Sequence, residues 1–179
     1  RALPLPLPLS VRCLDLFAGS GCIGIAVLKH IPWVKVDFAE KEERLQKQIR
    51  INAELNGIDP KRYRLIQSDI FSNIKGKYDY ILANPPYVAK VRKQNVQKSV
   101  LEQEPLSAVF GGKDGLRYIH PFLQKAKDHL KKNGEIWMEF DSPQKREIEK
   151  LLKQCDYQNF EISKDQYGKW RYVVAQGYK

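Results

Sequence analysis

The chain has 179 residues, 42% of them hydrophobic and 29% charged, with a formal net charge of +10 at pH 7. That length supports one domain with a sizeable core, and no apolar run approaches the roughly 20 residues a membrane-spanning helix needs. The charge fits a protein working near RNA or an acidic partner, since basic surface attracts polyanions at long range, and a general lysine bias accounts for it equally.

Residues 1–10 alternate Leu and Pro and lack the organisation of a signal or transit peptide, so they read as a linker. They lead at once into a core strand, and the chain opens with Arg1 rather than methionine. Both observations predict the C-terminal part of something longer, with residues 11–179 as one domain. Val11 to Phe17 is expected to be a buried strand. The loop Gly19/Gly21/Gly24 then opens a helix carrying Ile23, Ile25 and Leu28 that stops before Pro32. Val34 to Ala39 is the next strand, ending in Glu40, and Lys41 to Asn56 is a charged amphipathic helix closed by Asn56-Gly57. Arg64 to Gln67 and Tyr78 to Ala83 follow as strands. Residues 88–114 read as a long functional loop with at most a short helix. A helix is expected over Leu116 to Lys132, a strand over Glu135 to Phe140, and a helix over Gln144 to Gln154. Phe160 to Ser163 and Trp170 to Gln176 are joined by so short a link that they must pair antiparallel. The order is that of an α/β fold: a seven-stranded, mostly parallel sheet with a C-terminal antiparallel hairpin.

The segment Asn84-Pro85-Pro86-Tyr87, delivered by the fourth strand, points to methyl transfer onto a planar nitrogen. The lone pair of an amide or base amine is delocalised, so a site must hold the NH2 group with acceptors. The Asn84 side-chain oxygen and the Pro85 carbonyl supply two. Proline fixes φ and has no N–H, which ends the strand and turns its carbonyls outward. The alternative is that Asn-Pro-Pro merely terminates a strand.

Ligands of doubly wound sheets bind beyond the carboxyl ends of the strands, where strand order reverses. Gly19, Ser20 and Gly21 follow the first strand and allow close backbone approach. Glu40 lies nineteen residues after Gly21, placed to bind two ribose hydroxyls. The pattern Gly19-x-Gly21-x-x-Gly24 also fits a dinucleotide site. Asp15 argues against that, because its carboxylate would repel a pyrophosphate yet can pair with the amino group of an amino-acid-like cofactor. Asp69 can accept from an adenine amine while Ile70 packs on the ring. Each acid taken singly can equally be a solvated strand end or turn cap. Asp37, inside a strand, reads as structural. Cys13, Cys22 and Cys155 are odd in number and, like His30, His120 and His129, lack metal-ligand spacing. Reduced thiols and no metal are expected.

Asp15-Leu16-Phe17-Ala18-Gly19-Ser20-Gly21-Cys22-Ile23-Gly24, Glu40, Asn52-Ala53, Asp69-Ile70-Phe71, Tyr78-Asp79 to Tyr87, Glu104-Pro105 and Gly111 to Leu116 resemble the peptide chain release factor glutamine N5-methyltransferase family. The resemblance implies a Rossmann-like class I S-adenosylmethionine methyltransferase acting on the glutamine of the Gly-Gly-Gln motif in class 1 release factors. It implies that Asn84, Pro85, Pro86 and Tyr87 hold the glutamine amide. Asp15, Gly19, Ser20, Gly21, Cys22, Glu40, Asp69, Ile70 and Asn84 would bind the cofactor. Arg171, in Asp165-x-x-Gly168-x-x-Arg171, would support the active-site end or form a structural ion pair. The implied compartment is the cytoplasm, with the mitochondrial matrix as alternative. The family's helical N-terminal domain and its Arg-Pro-Glu-Thr-Glu segment do not occur in these 179 residues, and Gln103 stands where Tyr usually precedes Glu-Pro. The Phe17-Ala18 form resembles enzymes that methylate guanine N2 in ribosomal RNA. A methyltransferase for exocyclic amines of RNA or DNA (N2-guanine or N6-adenine) is therefore the second reading, with Lys90, Arg92, Lys93 and Lys98 beside the motif as candidate phosphate contacts. A cofactor-binding scaffold without activity is the third, opposed by the intact Asn84 and Tyr87.

Overall fold

The computed structural model describes residues 11–95 and 106–177, apart from the side chains of residues 93, 95 and 107. The expectations for the Leu-Pro linker, Lys93, Lys98 and Gln103-Glu104-Pro105 lie outside the described residues. Seven strands run β1 (Val11–Leu16), β2 (Val34–Glu40), β3 (Tyr63–Gln67), β4 (Tyr78–Ala83), β5 (Leu130–Glu139), β6 (Phe160–Lys164) and β7 (Trp170–Gln176). Among the described residues five α-helices accompany them: α1 (Cys22–His30), α2 (Glu43–Leu55), α3 (Leu106–Val109), α4 (Ile119–Ala126) and α5 (Lys145–Gln154). All seven strands form one sheet in the order β3-β2-β1-β4-β5-β7-β6. β1 to β5 are parallel, and β7 lies antiparallel between β5 and β6.

Burial explains the strand sequences. β2 is buried at every position but Lys35, as expected of a central parallel strand covered on both faces. One face, through Val36 and Phe38, packs on Leu28 of α1 and on Ile49 and Ala53 of α2. The other, through Leu14, Ile81, Ile136 and Val173, packs on Phe122 and Leu123 of α4 and on Ile148 and Leu152 of α5.

Two expected boundaries move. The helix expected over 116–132 is α4 followed by a 3-10 turn, Lys127–His129, and Leu130 already pairs with Tyr78 as the start of β5. Asn133 and Gly134, just before the expected start of the strand at Glu135, sit inside it. Asn133 takes a positive φ of 62°, and the pairing register shifts there. The described residues on either side of the expected loop, 88–95 and 106–114, are tied to each other. Val88 N donates to the Val109 carbonyl (3.1 Å) and Gly111 N to the Val88 carbonyl (3.0 Å), so the segment beyond Tyr87 lies against residues 109–111.

Asp37 is structural, as its place in the strand suggested. Its buried carboxylate accepts from Arg12 Nη2 (2.9 Å), Arg64 Nε (2.8 Å) and the Tyr78 hydroxyl (2.8 Å). Burial disfavours its charge, but these donors outweigh burial and hold the carboxyl below the usual range. Replacing it by alanine strands two guanidinium groups and a hydroxyl, and Asp37→Ala is expected to cost about 2–4 kcal/mol in urea unfolding at pH 7. Because the folded-state pKa is lowered, the stabilisation is full above the unfolded carboxyl pKa of about 4 and is lost as pH falls through the folded value. Wild type and variant should therefore converge on acidification.

Candidate active site

Strand β1 ends in a tight reversal. Phe17 (φ 61°), Gly19 (φ 55°) and Gly21 (φ 81°) all lie in the left-handed region, which for Phe17 is a strained conformation. Packing holds it: the Phe17 ring stands edge-on to Tyr118 at 6.2 Å and beside Phe122 at 6.4 Å. Gly21 N donates to the Ala18 carbonyl (2.7 Å), and Asn52 Nδ2 braces the Ser20 carbonyl from α2 (2.9 Å). α1 then begins at Cys22, whose side chain is exposed.

Asp15 does not reach the ligand side of this loop, contrary to the expectation that it pairs with a cofactor amine. It is 1% exposed, and its Oδ2 accepts the Gly24 amide (2.8 Å). The inward face of β1 puts it beneath the loop, where a Cβ on Gly24 would overlap the Phe38 ring and Asp15 Oδ2. Its role is to tie the first turn of α1 to β1.

The other acids stand where expected. Glu40, at the end of β2, accepts from Gly19 N (2.9 Å) through Oε2 and from Lys41 N (2.7 Å) and Glu42 N (3.0 Å) through Oε1. These bonds fix the carboxylate, and Oε2 keeps a free lone pair for a ligand hydroxyl. Asp69 follows β3 and pairs with Lys41 Nζ at 2.7 Å, while Ile70 adopts φ 53° beside it. Both line a cleft of about 210 Å³ with Leu16, Phe17, Gly19 and Glu40.

A second cleft of about 790 Å³ is lined by Ser20, Cys22, Asn84, Pro85, Tyr87 and Arg171, among others. The clefts share Phe17, Gly19, Asn84, Pro86 and Ala108, so Asn84 stands at their junction. Asn84 is exposed, and its carboxamide has no hydrogen-bond partner among the described residues.

Tyr87 is clamped at both ends. Its hydroxyl donates to Glu139 Oε1 (2.7 Å), and its carbonyl accepts from Gln144 Nε2 (3.0 Å). Burial, then the Glu139 charge, push the phenol well above its ordinary pKa, so it stays protonated. Gln144 is itself buried, donates also to the Asp114 carbonyl (3.0 Å) and accepts from Asp141 N (3.0 Å). A Cβ on Gly115 would strike the Tyr87 carbonyl and Gln144 Nε2, which explains the glycine. Arg171 serves both roles read for it, lining the larger cleft while bridging Asp165 (3.2 Å) and Glu139 (3.9 Å). Arg92 lines the larger cleft and pairs with Asp141 at 3.1 Å. Glu139 and Gln144 were missed from sequence. Their signal was only the acid ending β5 and a Gln within helix-capping distance of Asp141.

A parallel sheet with two joined clefts at its carboxyl edge, a glycine turn after β1, an acid after β2 and unengaged acceptors after β4 define a class I methyltransferase. The chain belongs to the methyltransferase small domain family, whose model matches residues 2–114. Among named proteins it is 32% identical over 166 residues to a release factor glutamine methyltransferase of Thermodesulfovibrio yellowstonii, covering 92% of this chain and 59% of that protein. It is also 32% identical over 170 residues to the Streptococcus pneumoniae release factor glutamine methyltransferase, covering 94% and 60%. The chain thus spans about three fifths of the length of these curated relatives. Among solved structures, a methyltransferase from Pyrococcus furiosus superposes with a TM-score of 0.71 at 21% identity, covering 96% of this chain and 78% of that one. The ribosomal protein L11 methylase of Lactobacillus delbrueckii gives 0.66 at 19%, covering 97% and 72%. These likenesses establish the fold.

Burial, with a smaller contribution from Glu40, raises Asp15 to about 7 against the opposing Gly24 hydrogen bond. A raised carboxyl pKa means stability that is full below the unfolded value near 4 and lost as pH rises through 7, with a slope of at most about 1.4 kcal/mol per pH unit. Asp15→Asn keeps an acceptor for Gly24 but cannot ionise. Its unfolding free energy between pH 4 and 8 is expected to be flatter than that of wild type. Gly115→Ala should instead displace the segment around Tyr87 and lower stability by about 1–3 kcal/mol, read in urea.

Proposed function

We propose that the protein is an S-adenosylmethionine-dependent methyltransferase that methylates N5 of the glutamine in the Gly-Gly-Gln motif of class 1 release factors. The observation that carries this reading is Asn84 at the junction of the two clefts, its carboxamide without a partner among the described residues. The names of the relatives supply the acceptor class. Residues 11–179 form the catalytic unit, and the cytoplasm, or alternatively the mitochondrial matrix, is where its substrate would meet it.

The residues present fit the cofactor. The smaller cleft has room for a nucleoside, with Glu40 for the ribose hydroxyls and Asp69 and Ile70 for the base. Gly19, Ser20, Gly21 and Cys22 would flank the rest of the molecule at the start of α1. Bound there, S-adenosylmethionine supplies an electrophilic methyl group. The chain's own task is orientation and electrostatic fit. The Asn84 oxygen and the Pro85 carbonyl each accept one N–H of the glutamine amide, which fixes its plane and directs the nitrogen lone pair into the cleft junction. Tyr87, held as an acceptor-bound phenol, walls the amide with its ring and has no proton to exchange near neutrality. No base is needed before transfer, and the surplus proton leaves to water afterwards.

An exocyclic base amine presents the same two N–H groups, and the net charge of +10 favours RNA contact through basic surface. Transfer of labelled methyl to purified release factor and to ribosomal RNA, side by side, separates the readings. Label is expected on the Gly-Gly-Gln glutamine; label on RNA alone would replace the protein acceptor by a base. Asn84→Ala should lower kcat by about 100-fold or more with cofactor affinity retained, as expected for lost orientation. Glu40→Ala should weaken the cofactor by roughly tenfold or more in calorimetry, the cost of a charged hydrogen-bond acceptor.

A further inference from the structure

We propose that the amino edge of the sheet, opposite the clefts, is a docking surface for the sugar-phosphate backbone of a single-stranded nucleic acid. Parallel strands all start at one edge, and each of the first three carries a cation there. Arg12 is the second residue of β1, Lys35 of β2 and Arg64 of β3. Arg12 and Lys35 are register partners, and Arg64 is the partner of Asp37, two residues further along β2, so the three point to one face of the sheet on neighbouring strands with Arg64 set back by two residues. Lys61 and Arg62 extend the row from the turn that leads into β3. Together they line a depression of about 330 Å³ in which five cations meet one carboxylate, Asp37.

That carboxylate is already shared by Arg12 and Arg64, so it leaves the surface positive. Lys35, Lys61 and Arg62 have no carboxylate within ion-pair distance among the described residues. Arg62 is also rigid: its guanidinium donates to the carbonyls of Leu28 (2.9 Å), Ile31 (2.7 Å) and Val34 (3.2 Å). Its Nε is buried as well, so Arg62 contributes a fixed positive charge behind the depression, and direct phosphate contact falls to Lys35, Lys61 and the exposed edge of Arg64. Lys77, exposed and just before β4, continues the positive surface beyond Arg12.

The aromatic rings here are unavailable for stacking on bases. Tyr63 packs edge-on to Phe38 at 6.0 Å, and Tyr78 lies buried under the Arg12 guanidinium. Recognition is therefore of the backbone, independent of sequence. The surface is remote from the methyl-acceptor cleft, so it tethers the enzyme near nucleic acid without entering the reaction.

The test is fluorescence anisotropy with a labelled mixed-sequence RNA of about 20 nucleotides, titrated with the full chain at several salt concentrations. Affinity is expected to fall with a log-log salt slope of roughly −2 to −3, corresponding to three or four phosphates at about 0.7 each. Lys35→Glu with Lys61→Glu should weaken binding about tenfold or more at low salt, whereas Lys150→Glu with Lys153→Glu on α5, an equal charge change elsewhere, should leave it within about twofold. The milder Lys61→Gln with Lys77→Gln pair gives an intermediate loss and guards against misfolding of the double reversal. Methyl transfer to an acceptor peptide should be unchanged in all of them. Absence of RNA binding at low salt, or equal losses from the edge and α5 pairs, would overturn the proposal.

Discussion

Parallel pairing of β1 with both β2 and β4 is the constraint from which the site descends. It brings the carboxyl ends of three strands, and of β3 beyond β2, to one edge and makes the chain leave them through turns instead of hairpins. Each turn then exposes backbone amides and carbonyls that no sheet partner uses. The cost is conformational: Phe17 and Ile70 both adopt positive φ, and both line the smaller cleft. Strain at these two residues is tolerated because the sheet and the aromatic packing around Phe17 over-determine the backbone there.

Within this frame the acceptor segment behaves as a single rigid piece. Two prolines cannot move in φ, and Tyr87 is fixed through its hydroxyl by Glu139 and through its carbonyl by Gln144. Both clamps come from the end of β5 and the turn after it, the next strand in the sheet. Arg171 of β7 steadies Glu139 in turn, so the antiparallel hairpin supports the site even though it follows it by more than 80 residues in sequence. Pre-organisation of this kind matters most for a weak nucleophile, since misalignment cannot be offset by intrinsic reactivity.

Much of this was legible in the sequence, for definite reasons. The strands are short apolar runs separated by glycine and proline, and the site residues follow those strands immediately, so position along the chain fixed position on the edge. Glu40 and Asp69 were singled out because Glu40 ends strand β2 and Asp69 follows β3 by two residues. Glu139 ends one too, but its partner Tyr87 is 52 residues away, and nothing local marks the contact. Gln144 is 57 residues from the carbonyl it holds. Asp15 was misplaced for the opposite reason: spacing put it near the loop, but the side to which β1 turns it depends on how Gly24 and Phe38 pack. The start of β5 was placed late because Asn133 in the left-handed conformation and the register shift beside it interrupt the apolar run that marks a strand.

The two edges of the sheet differ in how they use charge. At the carboxyl edge carboxylates predominate, and each is fixed by amides or cations: Glu40 by three backbone N–H groups, Asp69 by Lys41, Asp141 by Arg92, and Asp165 and Glu139 by Arg171. Fixed acceptors suit a neutral amide and a cationic cofactor and would repel a phosphate chain. At the amino edge cations outnumber the one carboxylate they surround, and Arg62 is held by carbonyls that leave its charge uncompensated. Parallel pairing makes this separation possible because β1 to β5 all start at one edge and end at the other. One molecule can therefore present a polyanion-attracting edge while keeping its acceptor cleft selective for uncharged nitrogen.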